Sequence, residues 1–251
     1  MPNKEVRKDH KEEVRQQKAA AARAAKRAAG MRRAAIVVVL VALVGGGVML
    51  LTSQRGSDEE TASSPGASGA PTDTATLLSQ AAEAAKQAGC DEPTNVGPFP
   101  DEKDQSHDGL SPLSEYPSSP PTSGPHSEDT VSAGTYDEPV DVAAAIHSLE
   151  HGAVIFWFDP SVADSPEIAE IRAFLADNQD HAVMAPYDYP DEGDAGSLPK
   201  GTAFSLTAWH YVQNCAQPSL PVVADFMSKY RTPPLEDMDY VGEAPEPNVP
   251  I

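Results

Sequence analysis

The longest apolar stretch of the chain is residues 34–51, AAIVVVLVALVGGGVMLL, which contain no charged side chain. As an α-helix these 18 residues would be about 27 Å long, close to the roughly 30 Å hydrocarbon core of a bilayer. A helix buried in a soluble protein usually keeps a polar stripe, which this segment lacks. A secretory signal peptide is the alternative, but the basic lead and the apolar run are both longer than usual. The pattern predicts one transmembrane helix.

Regular hydrophobic periodicity resumes after residue 74 and predicts a mixture of helices and strands. Helices are predicted at 75–88, 140–152, 165–177 and 220–231, and strands at 153–158, 181–185 and 203–209. Gly89 and Gly152 are expected as C-terminal caps, and Ser165 followed by Pro166 marks a helix start. Residues 90–134 are dense in Pro, Gly, Ser and Asp, which is typical of irregular loop. The predicted fold class is therefore α+β, a small domain with a short sheet and about three helices.

Charge divides the chain at the apolar segment. Residues 1–33 carry eleven Lys and Arg against four Asp and Glu, whereas residues 52–251 carry seven against 34. The positive-inside rule puts the basic end in the cytoplasm and the acidic part outside. The net charge of −20 argues against a nucleic-acid binder, because phosphate contacts need clustered cations.

Five segments follow from these patterns. We expect a basic cytoplasmic tail at 1–33, the membrane helix at 34–51, a disordered tether at 52–74, an extracytoplasmic domain at 75–240 and a flexible tail at 241–251. The tether consists almost wholly of small, acidic, Pro and Gly residues, which cannot bury enough apolar surface to fold. The predicted localisation is the cell membrane, with a single pass and the folded domain on the outer side.

The chain contains two cysteines, Cys90 and Cys215, and both lie in the part predicted to be outside, where thiols are normally oxidised. A disulfide between them would close a loop of about 125 residues, which chain entropy values at roughly 4–5 kcal/mol. A pair of thiolate metal ligands is the rival interpretation, but the two residues lack the CxxC spacing of such sites. We expect a disulfide.

Six of the seven histidines also lie in the acidic part of the chain. In HSLEHG, His147 and His151 are four residues apart, which on a helix puts both imidazoles on one face, about 6 Å apart and close enough for one metal ion. His126 ends the phrase PPTSGPH, in which Pro and Gly fix the backbone and would present the side chain rigidly.

Four phrases of the sequence carry a family resemblance. PPTSGPH at 120–126, HSLEHGAVIFWFDP at 147–160, APYDYP at 185–190 and LTAW at 206–209 resemble, in this order, the actinobacterial DUF3105 family of unknown function. The resemblance spans about residues 85–235, and family members likewise place such a domain after an N-terminal membrane helix.

The resemblance implies no activity, but it does imply a set of motif residues. These are His107, His126, His147, Glu150 and His151, with Tyr116, residues 134–136 and Trp209 beside them. His181 and His210 match no family motif. Glycine is usual in the family after the tryptophan of LTAW, so His210 is expected to be incidental.

The preferred functional interpretation is a transition-metal site without catalysis. The candidate ligands are His126, His147, His151 and His107, with Glu150 as a further ligand or as a group that hydrogen-bonds a ligand, and Tyr116 in a similar supporting position. The rings of the first three are expected to converge on one point. Neutral imidazoles suit copper and zinc equally, and the acidic domain would concentrate cations.

Three alternatives stay open from the sequence. The histidines could hydrogen-bond the loop backbone between residues 100 and 135, which has few apolar side chains to hold it. The domain could be a structural or assembly partner of a membrane or envelope complex, with the protein partner unknown. HSLEH also matches H-x-x-E-H, the inverted zinc-peptidase signature, in which Glu activates water. Since no later helix supplies an obvious third acidic ligand, an enzyme is the less favoured interpretation.

Overall fold

The computed structural model describes residues 73–235 and 240–251. Within these ranges no helix is long and apolar enough to cross a bilayer. The predicted basic tail, the predicted membrane helix and nearly all of the predicted tether lie outside the described residues, so these segments and the localisation stay predictions.

Four α-helices are formed by the described residues, and the capping side chains of the sequence set where they begin. Asp73, Asp141 and Ser165 each accept a hydrogen bond from a backbone N–H of the first turn that follows. The helices are α1 Thr74–Gln87, α2 Val142–Glu150, α3 Pro166–Asp177 and α4 Leu220–Tyr230. Short 3-10 turns occur at Leu113–Glu115, Pro160–Val162 and Pro190–Gly196.

The six strands of the described part form one mixed sheet. They are β1 Thr94–Asn95, β2 Gly134–Thr135, β3 Val154–Phe158, β4 Ala182–Pro186, β5 Phe204–Ala208 and β6 Tyr211–Cys215. Their order across the sheet is β1-β6-β5-β3-β4-β2. The central pair, β3 and β4, is parallel because α3 connects the two strands, whereas β5 and β6 form an antiparallel hairpin beside β3.

Both faces of the sheet are covered, so β3 and β4 are buried at every position. Phe156 and Met184 point to one face, where they pack with apolar residues of α1, α3 and α4. Ile155 and Trp157 point to the other face, where α2 and the 99–131 loop segment cover them. This second layer, which contains little regular structure besides α2, holds the histidines.

The predicted mixture of helices and strands is confirmed, and the elements that the sequence predicts lie within two residues of their observed bounds. The sheet is larger than expected. Strand β6 was missed because Gln213 and Asn214 interrupt its apolar pattern, although both residues pair with β5. The two-residue strands β1 and β2 carry no periodic signal of their own.

The predicted disulfide is confirmed. Cys90 and Cys215 are bonded, which ties a residue three positions after the end of α1 to the last residue of β6. The pair closes a loop over a sequence separation of 125 residues and encloses the whole loop segment of the second layer. Covalent closure of so long a loop limits the unfolded chain and thereby stabilises the fold.

The C-terminal segment, residues 240–251, contains no helix or strand but makes specific contacts. The backbone N–H of Glu246 donates to the carbonyl of Glu150 at 3.0 Å. The Nε2 atom of His181 lies 2.8 Å from the carbonyl oxygen of Val249. The sequence predicts a flexible tail here, because its acidic and Pro-rich composition shows no periodicity. The structure instead holds the segment by hydrogen bonds to residues far away in sequence.

Gly152 should be intolerant of substitution. It has a φ of 89°, and an added Cβ would lie 1.9 Å from Oγ1 of Thr232. Gly152→Ala therefore adds overpacking of about 1–3 kcal/mol to a backbone strain of about 1–2 kcal/mol. Gly201→Ala is the matched control, since Gly201 has a φ of 87° and nothing within 4 Å of its added Cβ. Denaturant unfolding should show the larger loss for Gly152→Ala, and equal losses would contradict the close contact.

Candidate metal centre

Helix α2 is the rigid support of the candidate site. All nine of its residues are buried, because one side packs on the sheet and the other lies under the loop segment. Ser148 joins the helix to that segment: its hydroxyl accepts from the Val131 N–H at 2.9 Å and lies 3.2 Å from the Val131 carbonyl. His147 and Glu150 are three residues apart on this helix, which puts their side chains on the same face.

His151 follows at the end of α2, with its ring centroid 4.5 Å from that of His147. The helix stops at Glu150, and His151 is its C-cap. The N–H of Gly152 donates to the Leu149 carbonyl and the N–H of Ala153 donates to the Ser148 carbonyl, which is the Schellman arrangement. Gly152 therefore ends the helix, as the sequence predicts.

The PPTSGPH loop delivers His126 to the same place. Gly124 has a φ of 120°, and its added Cβ would lie within 3 Å of the rings of Phe99 and Tyr116. Only glycine lets the loop pass this close to the two rings. The Tyr116 hydroxyl donates to the carbonyl of Pro125, so Tyr116 supports the loop before His126 and does not contact a candidate ligand through this bond.

The ring of His126 is fully buried and has a fixed orientation. Its Nδ1 lies 2.7 Å from the Gly124 carbonyl oxygen, a contact in which the nitrogen must be the donor. The Nε2 atom points the other way and lies 2.8 Å from Oε2 of Glu150.

His107 completes the group from a third segment. The residues beside it pair with His126, because the His126 N–H donates to the Ser106 carbonyl and the Gly109 N–H donates to the His126 carbonyl. The Nε2 atom of His107 lies 3.4 Å from Nε2 of His147 and 3.5 Å from Oε2 of Glu150. The His107 side chain is 40% exposed, whereas the Glu150 side chain is 3% exposed. His107 is thus the member of the group that faces solvent.

Four side chains therefore converge, and each offers one donor atom within 4.8 Å of all the others. They are His107, His126, His147 and Glu150. Although Nε2 of His126 and Oε2 of Glu150 are close, their geometry is not that of a hydrogen bond. Both atoms are buried without a hydrogen-bond partner in the described part of the chain. Buried polar atoms in this condition are rare in folded proteins.

Burial lowers the pKa of His147, and the nearby His151, His126 and His107 lower it further. The neutral imidazole is consequently favoured at this position. A neutral imidazole is also the form that can donate a lone pair to a metal ion.

His151, which the sequence predicts as a ligand, lies outside the group. Its Nδ1 is 3.2 Å from the Pro250 carbonyl and its Nε2 is 3.5 Å from Oε2 of Glu246, so the ring contacts the C-terminal segment. The expected pairing of His147 and His151 is present, with ring centroids 4.5 Å apart, but both nitrogens of His151 contact the C-terminal segment and not the group of four. Glu150, three residues after His147, is the second residue of α2 that belongs to the group of four.

The positions of Glu150 and His151 also bear on the match of HSLEH to the inverted zinc-peptidase signature. That signature needs both histidines of HSLEH as ligands and leaves the glutamate free to activate water. Here the glutamate and the first histidine lie together, and the second histidine faces another segment.

Comparison with known proteins supports the family assignment. The family described as "Protein of unknown function (DUF3105)" matches residues 112–243, more than half of the chain. The chain belongs to the DUF3105 family. No curated protein and no solved structure matches it. Three of the four converging residues lie within the DUF3105 match, and His107 precedes it.

One histidine of this DUF3105 domain has a role that its sequence pattern did not predict. His210 sits in the tight turn between β5 and β6 with a φ of 64°, a conformation that glycine adopts freely. Its Nε2 lies 2.8 Å from Oδ2 of Asp104 and its Nδ1 lies 2.7 Å from Oε2 of Glu243. No local signal could have shown this, because its two partners are 106 and 33 residues away in sequence.

Opposing effects act on the charge of His210. Burial disfavours the imidazolium, but hydrogen bonds to Asp104 and Glu243 outweigh burial and raise the pKa of His210 above its usual 6.5. Burial also opposes the charge of Asp104, but hydrogen bonds from His210 and Ser123 lower the pKa of Asp104 below 3.8. The raised pKa of His210 therefore contributes to the stability of the folded domain. This contribution is fully present below about pH 6.5 and is lost as the pH rises through the pKa of His210 in the folded state. The lowered pKa of Asp104 contributes stability that is present above about pH 3.8 and is lost as the pH falls through the pKa of Asp104 in the folded state.

Replacement of His210 should consequently destabilise the domain most in a limited pH window. His210→Asn keeps a residue that tolerates positive φ and removes the charge. We expect it to lower the free energy of unfolding by about 1–3 kcal/mol near pH 5–6.5, and by less at pH 9. Thr122→Ala is the control, because it changes the neighbouring loop without removing a charge. It should change the free energy of unfolding by an amount that does not vary with pH. Denaturant titrations at several pH values measure both, and a loss from His210→Asn that is constant up to pH 9 would contradict the ion pairs.

Proposed function

We propose that this domain binds one transition-metal ion through His107, His126, His147 and Glu150. The observation that carries the proposal is the pair of buried acceptor atoms, Nε2 of His126 and Oε2 of Glu150, that lie 2.8 Å apart without a hydrogen bond between them. Because Nδ1 of His126 carries the proton donated to Gly124, its Nε2 offers a lone pair in the neutral ring. Two acceptors this close repel each other in a low-dielectric interior, and a bound cation converts the repulsion into ligation.

The distances between donors support a single ion. Four ligands at about 2.0–2.1 Å from a tetrahedral zinc ion lie about 3.3 Å from one another. The contacts of His107 with His147 and with Glu150, at 3.4 and 3.5 Å, are close to that spacing. The contact of 2.8 Å between His126 and Glu150 is shorter than this, so the distances do not single out zinc or copper. Three imidazoles and one carboxylate suit both ions.

The surrounding contacts are also those of a metal site. Ligating histidines commonly donate their second ring nitrogen to a backbone carbonyl, which fixes the ring and makes the ligating nitrogen more basic. His126 has this arrangement with Gly124. If the histidines only hydrogen-bonded the loop backbone, the contact with Gly124 would account for Nδ1 of His126. It would not account for the buried Nε2 atom, which has no hydrogen-bond partner among the described residues. A metal ion therefore explains more of the geometry than hydrogen bonding to the loop alone.

The metal assignment makes a direct prediction about stoichiometry and ligands. The full-length protein, stripped with a chelator and dialysed, should take up one equivalent of Zn²⁺ or Cu²⁺ in competition with a chromophoric chelator. His126→Ala and Glu150→Gln should each weaken binding by about 100-fold or more, since each removes a ligand.

His151→Asn is the matched control for these variants. It removes a histidine whose ring lies 4.5 Å from that of His147 but which supplies none of the four donor atoms, so the affinity should stay within about threefold of the parent. Loss of binding in His151→Asn together with unchanged binding in Glu150→Gln would contradict the proposed ligand set. Absence of any stoichiometric metal in the parent protein would contradict the function itself.

We also propose that the domain lies outside the membrane, anchored by residues 34–51. The disulfide between Cys90 and Cys215 supports this location, because such bonds persist in oxidising compartments. Protease added to intact cells should digest the C-terminal domain, because the proposed topology exposes it. The basic residues 1–33 should become accessible to the protease only after lysis. A domain that survives in intact cells but is digested after lysis would contradict the proposed topology.

A further inference from the structure

We infer that His210 and Asp104 form a positioning bridge for the metal centre, which holds the two loops that carry His107 and His126 at the distance that a shared ion requires. This role rests on the proposed metal binding. Neither residue contacts a candidate ligand directly, so their effect is exerted through the loops.

Asp104 is the junction of the two loops. It lies three residues before His107, and its carboxylate accepts from the Phe99 N–H at 2.6 Å and from the Ser123 hydroxyl. Its backbone carbonyl accepts from the Gly124 N–H at 2.9 Å. Ser123 and Gly124 belong to the loop that ends in His126, so a single residue joins both ligand-bearing segments.

His210 joins this junction to the sheet. It lies in the connection between β5 and β6, where the paired strands on both sides fix its position. Its backbone carbonyl accepts from the Val96 N–H at 2.8 Å, and its Nε2 contacts the Asp104 carboxylate at 2.8 Å. The preceding residue, Trp209, packs edge-to-face against the ring of His126 with centroids 6.2 Å apart. The turn therefore supports the loop of His126 from two sides.

The bridge is partly buried and its charges are matched. The side chains of His210 and Asp104 are 13% and 16% exposed, so the contact is less screened than a surface ion pair. The other charged group that faces the imidazole is Glu243, whose carboxylate also contacts the Asn95 amide and the Tyr211 hydroxyl. Glu243 holds the C-terminal segment and does not contact either ligand loop through these bonds. The pairing with Asp104 is thus the part of the network that concerns the metal centre.

The loops need such support because apolar packing holds them only in part. Residues 101–111 contain no buried apolar side chain. A misplacement of His107 or His126 by about 1 Å would lengthen metal bonds whose ideal lengths vary by only about 0.2 Å. Groups that orient metal ligands typically change affinity by about 10–100-fold when removed.

The test compares metal binding by full-length variants. His210→Asn and Asp104→Asn should each raise the dissociation constant for Zn²⁺ by about tenfold, and the double variant should be no weaker than either single variant, because both remove the same bridge. The absorption bands of bound Co²⁺, which report ligand geometry, should change in all three. His181→Asn is the matched control: His181 is also buried at positive φ and bonds the C-terminal segment, but not the ligand loops. It should leave affinity and spectrum unchanged.

The outcomes separate this inference from the proposed function. If the parent protein binds no metal, both are overturned. If the parent binds metal and His210→Asn binds it with the same affinity and spectrum, the bridge is overturned and the metal site stands. An equal loss in His181→Asn would mean general destabilisation and would also overturn the bridge. If His210→Asn does not fold, Ser123→Ala removes a single bond of the same junction and should still weaken binding measurably, and unchanged affinity would overturn the inference.

Discussion

A buried carboxylate surrounded by imidazole rings imposes the strongest constraint on this domain. Glu150 is 3% exposed at the end of a fully buried helix, and its Oε2 atom faces the ring nitrogens of His107 and His126. An ionised carboxylate in such a place costs several kcal/mol unless a cation or good hydrogen bonds compensate it. The loops that cover the second face of the sheet bring imidazoles to this carboxylate where apolar side chains would otherwise be expected. The divalent ion that we propose here would satisfy the carboxylate and the imidazole lone pairs together.

The covering layer is built differently from the rest of the domain. On the opposite face of the sheet, apolar residues of three helices pack in the usual way. On the face of the candidate metal centre, the loop segment is held by polar junctions, among them Ser148 with Val131, Tyr116 with Pro125 and His210 with Asp104. The disulfide encloses this segment and limits its freedom in the unfolded chain. A loop-rich layer of this kind places ligands from distant parts of the sequence at one point.

The sequence predicts what depends on local pattern. In residues 73–235 and 240–251, apolar periodicity locates the four helices and three of the six strands, and the predicted caps Gly152 and Ser165 occupy the expected positions. All four members of the candidate centre were among the predicted motif residues, but the donor atoms that converge include Glu150 and not His151, because the nitrogens of His151 contact the C-terminal segment. The bridge of His210 and the contacts of residues 240–251 join positions far apart in sequence, so no local pattern reports them.

Anomalous diffraction from crystals of the zinc-loaded protein, measured at the zinc absorption edge, tests the central claim most directly. The account predicts one peak per chain, about 2.0–2.2 Å from the nearest ring nitrogens of His107, His126 and His147 and from a carboxylate oxygen of Glu150. A peak bound by His151 in place of Glu150, or no peak among these four residues, would contradict it.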